Sequence, residues 1–434
     1  MSASNVEPSQ EQAIFKVPKF NAVNGLLDPE FFAGIDIVPS EFHTAAQGMI
    51  ARNTFKGSLV YSPPAGYFVF TGIKWEQSND LALGMVESMS YEQLRRTSQA
   101  LNAAQERVAR LKEDRLAMLN SRSIVLPSTE SILEADIRVA EQEAVKAQKL
   151  FSGASYMNQE LCITTALKFT RANSYNVDLF DSDRYKLNTP DGTIDLRTGE
   201  IFPHNPSDMI SKVTSVSPSV IGMDKWLDFL GNATLSNPEL ESFLQLAAGM
   251  FLLGKGDKLL VLAKGKANIF RSRFLKSCRL VMKDYACIIA PKVIANKGIN
   301  IDNTLATLKG KRLVLSEESS SDKLIEANMV SLLDSTDQIS ENVKLIAPKD
   351  FKSTHALVMF TNKPASCLDR ETFDKAIEIQ FPPNSSAHKL LPSLDILLNE
   401  AGGAILQWMI DGAIRYNRQG CTLGKLPKCI GNAS

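Results

Sequence analysis

The 434 residues carry 48 Lys+Arg against 48 Asp+Glu and an apolar share of 44%. That length calls for two or more domains with buried cores, and the composition is that of a soluble globular chain. The balanced charge excludes nucleic-acid binding through a global basic field, so any basic surface has to be local.

Six cysteines without a C-x-x-C spacing and four scattered histidines show no metal-ligand pattern. They read as reduced thiols of an intracellular protein. The N-terminal MSASNVEPSQEQ lacks the apolar core of a signal peptide. Runs such as LLVLA at 259–263 stop well short of the ~20 apolar residues of a bilayer span. A cytoplasmic protein with no membrane contact is expected.

Residues 1–30 read as a loose lead-in. From 31 to 88 the text is strand-like, with a hairpin around Pro63-Pro64-Ala65-Gly66. Over 90–120, Leu94, Leu101, Ala104, Val108 and Leu111 fall at helical spacing among polar residues. Pro127 breaks that run, and a second helix is expected from Ser131, whose spacing to Glu134 fits a capping box. Two helices packed in a small α-rich domain is a better reading than a long coiled coil, because the heptad pattern is short.

Asn188 to Lys212 is a turn–strand–turn–strand unit, with Asp191-Gly192 and Thr198-Gly199 as the turns. Helices follow around Trp226–Leu230 and Pro238–Leu253. Then come LLVLAKGKANIFRSRF (259–274), strands at 312–316, 355–362 and 376–381, and helices at 323–334 and 394–416. Strands separated by helices predict an α/β layer with a parallel sheet.

The segment 259–274 is an apolar strand, a Gly/Lys-rich turn and a helix start. A P-loop of the form G-x-x-x-x-G-K-[ST] cradles phosphates with backbone N–H groups, reaches them with its Lys and binds Mg²⁺ through its hydroxyl. With Gly265 as the first glycine, Phe270 stands at the second, Arg271 replaces the Lys, and Ser272 keeps the hydroxyl. Phe270 is expected to crowd the phosphate approach. Arg271 keeps the charge, on a planar fork rather than a compact ammonium.

Glu317 and Glu318 follow the strand 312–316, where carboxylates hold Mg²⁺ and orient an attacking water. Asn362 follows the strand 355–360, placed to sense a γ-phosphate. Ligands of open α/β sheets bind at such carboxyl ends, so these residues are expected to share one crevice. Each signal alone also fits a solvated loop or a turn. Lys309, Lys311 and Arg312 form a local basic cluster that reads first as a solvated turn.

In order along the chain, these motifs resemble the helicase portion of the superfamily III primase-helicases of poxviruses, phages and phage satellites, with the helical domain that precedes their ATPase core. The resemblance spans about 30–425. Its most specific stretch is LNTPDGTIDLRTGE (187–200). It continues through LQLAAGMFLL (244–253), LKGKRLVLSEE (308–318), FKSTHALVMFTNKP (351–364) and NEAGGAILQWMIDGAIRY (399–416).

The resemblance implies a mixed α+β and helical domain over 31–220, an AAA-like P-loop NTPase core over 221–390 and a C-terminal helical segment over 391–434. It implies a homo-hexamer that binds ATP and Mg²⁺ between subunits and moves on single-stranded DNA, alongside other replication proteins. Carried over residue by residue, Glu317 and Glu318 are the metal and water-activating acids, Asn362 the sensor, Ser272 a metal hydroxyl and Gly265 the first loop glycine. Arg271 stands at the loop lysine, Lys344 and Lys349 lie near the DNA-contacting hairpin, and Lys375 occupies the arginine-finger position.

The departures gather at the chemistry. Besides the loop, the finger pair becomes Asp374-Lys375 and a hairpin basic residue becomes Asn342. No primase module is legible ahead of residue 31. Three functional readings stay open: an ATP-driven replicative helicase with weakened catalysis, an inactive member serving as a DNA-binding or assembly subunit, or the relic of a prophage.

Overall fold

The computed structural model describes residues 16, 18–22, 24–63, 65–120, 127–254, 260–264, 269–290, 308–316, 354–360, 376–382 and 393–424. Two compact units divide the chain, Met1–Val177 and Asp178–Ser434. The boundary expected near 220 therefore falls inside the second unit.

In the first unit, a 3₁₀ turn (Pro29–Phe32) precedes helix α1 (Thr44–Thr54) and a meander of β1 (Leu59–Ser62), β2 (Gly66–Phe70) and β3 (Trp75–Gln77). The expected hairpin is present, with Leu59 opposite Val69 and Ser62 opposite Gly66. Helix α1 replaces what reads as strand. It buries Gln47, Gly48 and Ala51 rather than large apolar residues, so its period is invisible to a hydrophobicity count.

Helix α2 (Asn79–Asn120) begins eleven residues before the expected start at 90 and pairs with α3 (Pro127–Met157). Ion pairs Arg107–Glu143 at 2.6 Å and Lys112–Glu141 at 2.7 Å run in opposite sequence directions, so the two helices are antiparallel. Helix α3 starts at Pro127, whose fixed φ suits a first helical position. Ser131 therefore lies inside the helix and is not its N-cap.

Helix α4 (Glu160–Phe169) completes this unit, whose core joins Phe31, Phe32, Phe55, Val69, Met85 and Leu167. Part of the expected lead-in is packed as well: Leu27 is buried and its N–H donates to Ser88 Oγ at 2.7 Å.

The second unit opens with the motif at 187–200. It forms β4 (Lys186–Thr189), β5 (Gly192–Asp195) and β6 (Ile201–Phe202), an antiparallel meander. Leu187, Ile194 and Leu196 enter the main core. Asn188 ties the motif together. Its Oδ1 accepts from Thr193 Oγ1 at 3.0 Å and meets His204 Nδ1 at 2.8 Å, while its Nδ2 donates to the Lys212 carbonyl at 3.2 Å. The most specific stretch of the sequence is thus scaffold.

Helices α5 (Met223–Thr234) and α6 (Pro238–Leu253) lead to β7 (Leu260–Lys264), α7 (Ile269–Met282), β8 (Ala286–Ile289), β9 (Leu313–Ser316), β10 (Ala356–Phe360), β11 (Ala376–Gln380) and α8 (Leu394–Arg418). The five strands form one sheet in the order β11-β7-β10-β9-β8, and every neighbouring pair is parallel. The α/β class expected from sequence is the one observed. Strands β7, β9 and β10 are buried on both faces apart from Lys264, as expected for a sheet covered by crossover helices.

Strand β8 has no counterpart in the sequence reading, because four residues (ACII) carry too short a pattern. The helix expected at 323–334 lies outside the described residues.

Helix α8 crosses α6 at very close range. A Cβ on Gly412 would lie 2.1 Å from the Gln245 carbonyl oxygen, and one on Gly249 would lie 2.2 Å from the Gly412 carbonyl carbon. Two backbones at that distance require glycine. Trp408, one turn earlier on α8, meets Trp226 edge-on at 5.6 Å and Phe274 at 6.1 Å. The C-terminal motif is therefore a packing motif.

Candidate functional site

The register of the parallel strands sets one row at their carboxyl ends. Phe360 of β10 lies beside Ala263 of β7, and Met359 beside Ser316 of β9, which lies beside Ile289 of β8. From β7 the chain passes through α7 to β8 at the far edge; from β10 it passes to β11 on the opposite side. The neighbours β7 and β10 therefore send their connections in opposite directions. Such a switch point opens a crevice beyond the strand ends, where open α/β sheets bind their ligands.

Helix α7 starts five residues after β7 ends. The N-terminus of a helix carries unpaired N–H groups and the positive end of the dipole, both of which favour an anion.

Arg271 lies at this crevice, but turned inward. It is 4% exposed. Its Nη1 donates to the Ala263 carbonyl at 3.0 Å, and its guanidinium carbon sits 5.1 Å from the centre of the Phe360 ring. One side chain thus bridges the ends of the two strands that flank the switch point.

Phe270 is 1% exposed and packs against Phe229 at 6.1 Å. It belongs to the helix and its ring lies in the core. The ring expected to crowd the phosphate approach is thus packed into the core against Phe229. Ser272 lies in the first turn of α7, partly exposed.

Lys264, the last residue of β7, pairs with Glu378 of β11 at 2.9 Å, their side chains 15% and 33% exposed. Sequence reading passed over this pair. Its signal was an acid between two isoleucines in the strand AIEIQ, which in a sheet calls for a partner.

The remaining expected site residues lie outside the described residues: Gly265, Glu317, Glu318, Lys344, Lys349, Asn362 and Lys375. Their anchors are described. Glu317 follows Ser316 directly and Asn362 comes two residues after Phe360, so the chain leaves the sheet toward both from adjacent points of the row. Described residues fit a nucleotide through the α7 N-terminus, while the cations at 264 and 271 are both engaged with protein groups. Of the expected phosphate and metal contacts Ser272 is described, while Gly265, Glu317, Glu318 and Asn362 lie outside the described residues.

The basic cluster at 309–312 comes apart at the amino end of β9, away from the row of carboxyl ends. Arg312 is 5% exposed and donates to the carbonyls of Leu252 at 2.9 Å and Lys186 at 2.6 Å, over the Tyr285 ring at 4.6 Å. Burial holds its guanidinium below the usual range. Lys311 donates to the Asp284 carbonyl at 2.7 Å, and burial lowers its ammonium too. Lys309 pairs with Asp178 at 2.7 Å. Lys309 sits on an exposed turn as expected, whereas Arg312 is instead a buried clamp that holds the β4–β6 meander to the sheet.

Among the described residues no group of three or more metal-ligating side chains occurs, and no helix is long and apolar enough to cross a membrane.

Residues 46–247 match the family model described as D5 N terminal like, a match that ends before β7. No curated protein matches the chain. Two solved structures of the JCV helicase, one of them inhibitor-bound, are each 12% identical over 74% of this chain. They are covered over 85% and 91% of their own lengths, with TM-scores of 0.29 and 0.31. Over residues 46–247, a little under half of the chain, the sequence is similar to the D5 N terminal like family.

Proposed function

We propose that this protein is a replicative DNA helicase-type NTPase of a phage or other mobile element, a homo-hexamer that moves on single-stranded DNA with ATP and Mg²⁺ at the crevice between β7 and β10. The observation that carries this reading is the switch point itself: β7, β9 and β10 end in one row, and the segments bearing Gly265, Glu317, Glu318 and Asn362 leave from it. In this reading Glu317 and Ser272 hold the metal, Glu318 orients the attacking water, Asn362 senses the terminal phosphate, and Lys375 of a neighbouring subunit faces the site. Lys344 and Lys349 contact the strand. ATP supplies the phosphoryl group whose loss drives movement; the chain's own residues bind and orient it.

A second reading, an inactive member that acts as a DNA-binding or assembly subunit, is favoured by one observation. Arg271, at the position of the loop lysine, spends a donor on the Ala263 carbonyl.

ATP binding followed by hydrolysis with and without single-stranded DNA separates the two, with Glu317→Gln as control. DNA-stimulated turnover that Glu317→Gln abolishes supports the motor. Absence of binding at millimolar ATP removes it and leaves the subunit.

A further inference from the structure

In a chain of balanced charge, two stretches of the first unit contain no Asp or Glu: 42–75 and 161–177. The fold brings their basic ends together. Asn173 Nδ2 donates to the Arg52 carbonyl at 3.2 Å, and the Asn173 carbonyl accepts from the Tyr61 N–H at 2.9 Å. The Arg171 guanidinium lies 4.9 Å from the centre of the Tyr61 ring, and its Nε donates to the Tyr67 hydroxyl at 3.2 Å. The Tyr61 and Tyr67 rings are 4.9 Å apart.

Arg52, Lys56, Lys168 and Arg171 are all exposed, and among the described residues none forms an ion pair. Carboxylates begin at the rim. Glu160 is eight residues, about 12 Å, up α4 from Lys168, and Asp80 sits in the first turn of α2.

One cation in the last turn of a helix is explained by the dipole. Arg52 on α1 and Lys168 on α4 fit that account. Lys56 and Arg171 lie beyond the helix ends, and the dipole does not explain why acids are missing from both stretches.

We infer that this end of the first unit, formed by the C-termini of α1 and α4, the turn at 170–172 and the β1–β2 hairpin, is a binding surface for single-stranded nucleic acid. Arg52, Lys56 and Lys168 meet phosphates, and the Arg171–Tyr61 stack gives a base a planar platform. Cations beside an aromatic platform suit a flexible strand, whose backbone is anionic and whose unpaired bases stack without regard to sequence. The choice of nucleic acid over another polyanion rests on the helicase reading.

The test uses the full chain and a fluorescein-labelled oligo(dT), read by anisotropy across a salt series, with ultraviolet cross-linking to map the bound surface. The triple variant Arg52→Glu/Lys56→Glu/Arg171→Glu is expected to weaken binding about tenfold or more at about 100 mM salt. It should also lower the log–log salt slope by about 1.4, since each of the two phosphates no longer neutralised by Arg52 and Lys56 removes roughly 0.7. Cross-links are expected at or beside Tyr61. Because Arg171 also holds Tyr67, Arg52→Gln/Lys56→Gln is measured as a variant that leaves that hydrogen bond intact, and it too should lower the slope by about 1.4.

Wild-type affinity in both variants, or cross-links confined to 178–434, overturns the surface and leaves the motor standing. Patch-dependent binding to phosphatidylserine vesicles with none to oligo(dT) also overturns it. ATP turnover in the same samples reads the motor separately: patch-dependent DNA binding without turnover keeps the surface and removes the motor.

Discussion

Arg271 donates from Nη1 to the carbonyl oxygen of Ala263 at 3.0 Å, tying the start of α7 to the end of β7, just ahead of the loop at 265–268. The same guanidinium covers the Phe360 ring, so a cation where a phosphate ligand is expected is built into the end of the sheet. A buried carbonyl deprived of a donor costs about 1–3 kcal/mol, and a desolvated cation–π interaction adds up to about 2.

Arg271→Ala is therefore expected to destabilise the second unit by about 2–4 kcal/mol. Urea unfolding followed by fluorescence in a Trp75→Phe background isolates that unit, because Trp226 and Trp408 both lie in its core. An unchanged midpoint with lost ATP binding would make Arg271 a phosphate ligand after all.

Replacing Phe270 by Gly looks from sequence like a repair of the loop. The structure predicts damage. The ring is buried against Phe229, and emptying its site costs about 3–5 kcal/mol. Phe270→Gly should lower the unfolding free energy of that unit by that amount and gain no nucleotide affinity. Tighter ATP binding without loss of stability would show that the ring does face the loop.

Gly412→Ala tests the α6–α8 crossing. Helix propensity favours Ala by about 1 kcal/mol. The added methyl, however, would lie 2.1 Å from the Gln245 carbonyl oxygen, which is backbone and cannot swing aside. Overpacking of this kind costs about 1–3 kcal/mol or more, so a net loss is expected. Thermal melting of the variant above wild type would show that the helices separate freely.

Glu92 gives the first unit an acid limb. Its carboxylate accepts from Arg95 Nε at 2.7 Å and from Arg96 Nε at 2.8 Å, while Arg96 also donates to the carbonyls of Phe32 and Ile35. The Arg95 and Arg96 guanidiniums hold this carboxyl below its ordinary 4.5, against the opposing effect of burial. A depressed carboxyl contributes stability above 4.5 that is lost as pH falls through its folded value. Glu92→Gln should cost about 1–2 kcal/mol at neutral pH and flatten the loss on acidification. An acid limb of unchanged steepness, followed by Trp75 fluorescence in a Trp226→Phe/Trp408→Phe background, would assign it to other groups.

The sequence by itself determined the α/β class, the parallel strands and the order of the motifs. Alternating and continuous apolar runs encode which faces are buried, and β7, β9, β10, β11 and α8 all lie where those runs are. Local signals failed where burial is carried by small or polar residues. Gly48 and Ala51 hide α1, and β8 is too short to show a period.

Only the tertiary structure decided what the chemical-looking residues do. Arg271, Lys264 and Arg312 are all cations in a sequence that suggests phosphate or DNA. Their partners, the Ala263 carbonyl, Glu378 and the Leu252 and Lys186 carbonyls, lie 8, 114, 60 and 126 residues away. A charge has no fixed role until the fold sets what surrounds it, since the same guanidinium is a ligand in a crevice and a clamp in a core. That is why the scaffold was legible in the string of residues and the site was not.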